Sequence, residues 1–113
     1  MESSIGRELK RGTLEMMILR MLAEGEMYGY QLVSSLEGRI GEQFQIKEGT
    51  LYPVLYRLED AGLVASRWET VERGVPRKYY RITDAGASRL EAWANEWRAF
   101  VAAVSRVLDK ESR

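Results

Sequence analysis

Glu48-Gly49-Thr50-Leu51-Tyr52-Pro53-Val54-Leu55-Tyr56-Arg57-Leu58-Glu59-Asp60-Ala61-Gly62-Leu63-Val64 decides how this chain is read. Leu51, Val54, Leu55 and Leu58 recur at i, i+3, i+4 and i+7, which makes one apolar stripe on a short helix. The other face carries Thr50, Tyr52, Pro53, Tyr56 and Arg57. Those are two phenols, a hydroxyl and a guanidinium where a surface helix ordinarily shows Glu and Lys. Gly62 stops the helix at a C′ position. A helix packed on one side and rich in hydrogen-bonding groups on the other suits the major groove of DNA. The competing reading is a plain surface helix with amphipathic aromatics.

The residues downstream of Gly62 favour the groove. Leu63 to Glu69 reads as a strand and Lys78-Tyr79-Tyr80-Arg81-Ile82-Thr83 as a second, aromatic and β-branched residues alternating with charge. Thr70-Val71-Glu72-Arg73-Gly74-Val75-Pro76-Arg77 between them is a turn by its Gly and Pro. Arg73, Arg77 and Lys78 set three cations at its tip and exit. Helix, strand, basic loop and strand describe a winged helix-turn-helix, with the wing at a phosphate backbone or the minor groove.

These residues resemble a known family. Gly49-Thr50-Leu51-Tyr52-Pro53, Arg57-Leu58-Glu59 and Gly62-Leu63, followed by Gly74, Pro76-Arg77-Lys78-Tyr79-Tyr80, Ile82-Thr83 and Gly86, look like the PadR family of transcriptional regulators. Gly12-Thr13-Leu14, Ile18-Leu19 and Gly29-Tyr30 look like that family's first two helices. The resemblance runs over about residues 8 to 110, and the short chain with one C-terminal helix is similar to the compact members. It implies a dimeric DNA-binding regulator, a repressor, released in many members by phenolic acids or hydrophobic drugs. Lys47 and Glu48 depart from the pattern, since a small residue or Pro is expected there. Lys caps a helix poorly, which leaves Thr50 as an alternative cap with Pro53 in the first turn.

Composition narrows the function. A chain of 113 residues makes one domain, small for an independent enzyme. Without Cys there is no thiol chemistry, and without His the commonest metal ligand and neutral-pH base are missing. Glu59-Asp60, the one adjacent acidic pair, does not make a catalytic constellation. No enzyme, metal or cofactor is expected. No apolar run approaches the length of a membrane span, and Met1 to Lys10 is too polar for a signal peptide, so the expectation is a cytoplasmic protein. Seventeen basic residues balance seventeen acidic ones, unevenly spread. Residues 12–46 hold two Arg against five Glu, whereas residues 47–83 hold seven Lys and Arg against five Asp and Glu. The positive surplus falls on the reading element, but it is modest, so non-specific affinity should be weak and fade with salt.

The remaining segments read as scaffold. Leu14, Met17, Ile18, Met21 and Leu22 form a helical stripe that ends at Glu24-Gly25. A second helix over roughly Gly29 to Ile40 buries Leu32, Val33, Leu36 and Ile40, and Phe44-Gln45-Ile46 is assigned a single strand rung beside the wing. Tyr28 and Tyr30 fit two readings, phosphate contacts at a helix start or core aromatics with a wet hydroxyl. Thr83 caps a last helix of about 26 residues, roughly 39 Å at 1.5 Å per residue. Leu90, Trp93, Trp97, Phe100, Val104 and Val107 fill its a and d positions, with Ala94, Val101 and Leu108 at e. One edge of so wide a stripe should pack on the first helix and the other on a second copy.

The expected fold is therefore mainly α with a small β-hairpin wing. Residues 1–83 form the winged helix-turn-helix and 84–113 the dimerisation helix of one compact unit. Lys47, Thr50, Tyr52, Pro53, Arg57, Arg73, Arg77 and Lys78 are the expected DNA contacts, while Arg67 and Arg81 are expected on solvated faces. Leu90, Trp93, Trp97, Phe100, Val104 and Val107 are the expected dimer seam. Partners are then a double-stranded palindromic operator and a second copy of the chain. A small aromatic or hydrophobic effector is a further expected partner, stacking on Trp93 and Trp97 with Phe100, Leu14 and Ile18. The resemblance adds that some compact members place an aromatic near Trp97 at the dimer centre. Plain dimer-core packing of the two indoles is the alternative. A winged-helix module for protein–protein contact, without DNA binding, is the alternative at the level of function.

Overall fold

A computed structural model describes residues 12–41, 46–70 and 73–109. Their elements run α1 (Leu14–Ala23), β1 (Met27–Tyr28), α2 (Gly29–Ile40), α3 (Glu48–Asp60), β2 (Val64–Glu69), β3 (Arg77–Ile82) and α4 (Asp84–Leu108). The chain is mainly helical, with a three-stranded antiparallel sheet in the order β1-β3-β2. The helices and the hairpin fall within about a residue of their sequence expectation. The third strand does not: it is Met27–Tyr28, paired with Tyr80 and Tyr79. Phe44 and Gln45 lie outside the described residues, and Ile46 is a buried core residue outside any strand.

Local chemistry explains the boundaries. Gly62 has φ +76°, the left-handed conformation a helix end favours. Its N–H reaches Glu59 O at 3.0 Å and that of Leu63 reaches Leu58 O at 2.9 Å. Both leucines are buried, the apolar contact that accompanies a Schellman end. At the other end of α3, the carbonyl of Lys47 accepts from Thr50 and Leu51, so Lys47 is the N-cap residue. Its side chain makes no capping bond. Thr50 is thus the third helical residue and Pro53 sits in the second turn, not the first. The cap is set by Lys47's extended backbone, at φ −93° and ψ 156°.

The core joins three helices and the hairpin. Ile18, Leu19 and Leu22 from α1, Leu32 and Leu36 from α2, and Leu51, Leu55 and Leu58 from α3 meet Val64 and Tyr80 of the sheet. Each such side chain contributes about 1.5–3 kcal/mol on burial. Thr83 fixes where α4 leaves the hairpin. Its Oγ1 accepts from Gly86 N–H at 3.0 Å and donates to Gly62 O at 2.7 Å. A Cβ on Gly86 would lie 2.0 Å from Leu63 O, so only glycine permits this close approach. From there α4 runs back along α1.

Candidate nucleic-acid interface

The four buried leucine and valine positions of α3 hold its other face outward. Thr50, Pro53, Tyr56 and Arg57 are exposed there, as is Lys47 at the helix start. Tyr52 differs from the rest of the set. It is half-buried and packs against the core, its ring 6.2 Å from that of Tyr56. Its hydroxyl sits over the first residue of α2, where a Cβ on Gly29 would come within 2.0 Å of Tyr52 Oη. Burial first, then the Glu48 carboxylate and Tyr56, push the Tyr52 phenol above its ordinary value. It therefore stays a neutral hydrogen-bonding hydroxyl.

A cleft of about 650 Å³ opens between the start of α2, α3 and the wing. Tyr52, Tyr56, Trp68, Arg77, Lys78 and Tyr80 are among its lining residues. It brings together three of the expected contacts, Tyr52, Arg77 and Lys78. Arg57 lies elsewhere, toward α1, 3.3 Å from Glu15 and with its side chain 62% exposed. Arg73 is exposed on the wing. The Arg77 guanidinium stands 4.6 Å over the ring of Tyr28, and that ring packs edge-on against Tyr79. Tyr28 is thus an aromatic support within the sheet, while Tyr30 is exposed at the cleft.

Two cations of the wing strands meet carboxylates of their own chain. Arg67 makes two hydrogen bonds to Glu26, at 2.9 and 2.6 Å, and lies over Tyr79. Arg67 is exposed, as expected of a solvated face, and its position across the sheet from the turn before β1 brings the Glu26 carboxylate within reach. Lys78 is drawn inward, 3.5 Å from Glu59 and 27% exposed. Lys47, Arg73, Arg77 and Arg81 carry no ion pair among the described residues. Sequence reasoning missed these partners, because Glu59 reaches Lys78 and Ser66 from helix to wing and Glu26 reaches Arg67 across the sheet, neither at a helical or alternating spacing.

Along α4 the apolar stripe divides. Leu90 and Trp93 pack on the core of their own chain. Trp97, Phe100, Val101, Val104, Val107 and Leu108 are exposed. Two open cavities, of about 560 and 330 Å³, lie beside Trp97, with Met16 also in the walls of both and Phe100 in the smaller. Leu14 and Ile18, expected beside the tryptophans, are 6% and 0% exposed and line neither cavity. Leu14 and Ile18 point into the core, and the α1 wall is formed instead by Met16, Arg20 and the half-buried Met17 at the edge of the stripe. Trp93 borders only the smaller cavity, and the Arg89 guanidinium lies 5.3 Å over its ring.

Among the described residues there is no group of His, Cys, Asp and Glu able to hold a metal ion. No helix there is long and apolar enough to cross a membrane. A family model, that of the transcriptional regulator PadR-like family, matches residues 18–92. Transcriptional regulator Rv3488 of Mycobacterium tuberculosis is 39% identical over 84 residues, 74% of this chain and 75% of its own. A PadR family transcriptional regulator from Eggerthella lenta has a similar structure, with a TM-score of 0.83 and 41% identity over 96% of this chain and 92% of its own. Bacillus subtilis PadR in complex with operator DNA is similar at a TM-score of 0.67 and 30% identity, over 73% of this chain. This chain spans 46% of that longer protein.

Proposed function

The chain belongs to the PadR-like family of transcriptional regulators, and from that premise we propose that it is a cytoplasmic repressor that binds a palindromic DNA operator as a homodimer. The observation that carries this reading is the outward face of α3, with Thr50, Pro53, Tyr56 and Arg57 exposed beside a wing bearing Arg73 and Arg77. The likeness to Bacillus subtilis PadR in complex with operator DNA supports it. In this reading α3 enters the major groove. Thr50, Tyr52, Pro53 and Arg57 meet base edges and the adjoining backbone, and Lys47, Arg73 and Arg77 meet phosphates. Residues 1–83 read the DNA, and residues 84–113 hold two copies together through Trp97, Phe100, Val104 and Val107.

The reading extends to an effector. A planar or hydrophobic molecule stacks on Trp97 and Phe100, whose ring centroids are 6.3 Å apart. It loosens the protein from its operator by favouring a different angle between the reading heads. Quenching of tryptophan emission in a Trp68→Phe background, together with weakened DNA binding, is the expected sign.

The second reading, a protein-binding module without DNA affinity, draws on the pairing of Arg57, Arg67 and Lys78 with carboxylates of their own chain. A gel shift of the gene's own upstream region by the purified protein, across a salt series, separates the two. The regulator retards that region in preference to unrelated DNA, and salt weakens the complex. A module of the second kind retards neither.

A further inference from the structure

Lys78 has the sequence position of a wing cation and the surroundings of an internal one. Its ammonium lies 3.5 Å from Glu59 Oε1. The rings of Tyr80, Tyr56 and Trp68 stand 5.3, 5.5 and 6.0 Å away. The other Glu59 oxygen, Oε2, accepts a hydrogen bond from Ser66 Oγ. These groups come from three elements: Tyr56 and Glu59 from the end of α3, Ser66 and Trp68 from β2, Lys78 and Tyr80 from β3. Register joins them again, since Ser66 stands opposite Tyr80 and Trp68 opposite Lys78. One carboxylate at the last turn of α3 therefore grips both wing strands, and one ammonium fills the space between the rings.

We propose that Lys78 is a positioning residue that locks the wing to the recognition helix through Glu59, and that it does not touch DNA phosphate. The proposal rests on the DNA-binding reading above and reverses one of its expected contacts. Two features separate Lys78 from its neighbour. Arg77 is exposed and has no carboxylate partner among the described residues, so it can release counterions by meeting a phosphate. Lys78 would have to leave a carboxylate and three rings to do the same. Burial alone would depress its ammonium, but the Tyr80 and Glu59 side chains outweigh that and hold it above its ordinary value. Operator recognition needs α3 in the major groove and the wing on the flanking backbone at once. A fixed angle between them favours the one sequence at which both engage, and matters less where only phosphates are met.

Lys78→Met and Glu59→Gln test this in the full-length protein. Methionine keeps an unbranched stem among the rings, and glutamine keeps an acceptor for Ser66. Thermal midpoints of the two single variants and the double variant, without DNA, report whether the pair is coupled. Salt titrations on the upstream region and on an unrelated duplex report phosphate contacts. The lock predicts that each single change lowers the midpoint and that the double change lowers it no further than the worse single. It predicts an unchanged log–log salt slope on both duplexes. The preference for the upstream region falls about three- to tenfold in either variant. A slope that drops by about one in Lys78→Met, with Glu59→Gln binding both duplexes more tightly, overturns the proposal, because Lys78 is then a phosphate contact. Additive midpoint losses overturn it as well. If Lys78→Met fails to fold, Glu59→Gln decides by the same readouts: reduced discrimination supports the lock, equal tightening on both duplexes contradicts it. Wild-type protein that binds neither duplex defeats the DNA-binding reading instead, and the midpoint cycle still decides whether Lys78 and Glu59 couple.

Discussion

At the residue scale, the informative contact is between Tyr52 and Gly29. The sequence places Tyr52 off the apolar stripe of α3, which leads to the expectation that truncating it harms only DNA binding. The structure instead seats its ring on the start of α2, so Tyr52→Ala should also cost about 1–2 kcal/mol of stability. Tyr52→Phe separates the two effects. It keeps the packing, so its melting temperature should match wild type while operator affinity falls. Gly29→Ala drives a methyl into the Tyr52 hydroxyl. It should weaken operator binding in the wild-type background and cost little more once Tyr52 is already Ala, a non-additivity that affinities of the four proteins would reveal. Arg77 gives the complementary case: Arg77→Ala should weaken binding to all sequences alike and reduce the salt slope by about one. A lost preference at constant slope would assign it to base readout instead. Periodicity could show which face of α3 is buried. It could not show that a glycine from another helix makes room for one phenol on the opposite face.

At the element scale, the four helices and the hairpin were legible because each carries a repeating pattern and a boundary residue. Gly62 ends α3 and Thr83 starts α4, and both do so through the bonds their residue types favour. Strand β1 was not legible, since two residues are too few for alternation to register. The sequence reading divides the stripe of α4 between the first helix and a second copy and places Leu90 and Trp93 in the seam; both pack on the chain's own core. Phe100 and Val104, 61% and 37% exposed in the single chain, are the surface the proposed dimer would cover. Phe100→Asp or Val104→Asp should therefore give a folded monomer in sedimentation, with the dimer weakened by several kcal/mol. A dimer of wild-type strength carrying either charge would move the interface elsewhere. The tie between Glu26 and β2 has a pH signature. The hydrogen bond from Arg67 outweighs desolvation and, with the charges of Arg67 and Arg81, holds the Glu26 carboxyl below its ordinary 4.5. Its stabilisation is complete above that value and lost as pH falls through the lowered one. Glu26→Gln should flatten that part of the acid melting curve; an unchanged curve would show the pair to be inert, as many exposed pairs are.

At the scale of the whole molecule, the charge balance shapes how binding is achieved. Seventeen cations meet seventeen acids, and Arg57, Arg67 and Lys78 of the reading unit are paired within it. Few charges remain to hold one subunit on DNA by electrostatics, so the proposed repressor draws its affinity from shape, base contacts and two heads acting together. In the proposed reading, a two-fold dimer held along α4 presents its two α3 helices to half-sites about one helical turn apart, roughly 34–36 Å. Hydroxyl-radical footprinting of the gene's upstream region with wild-type protein tests this most directly. The account predicts two symmetric protected patches about 10 base pairs apart, appearing together as protein is added and vanishing together with Phe100→Asp. A single protected patch, or none at low salt, would contradict it.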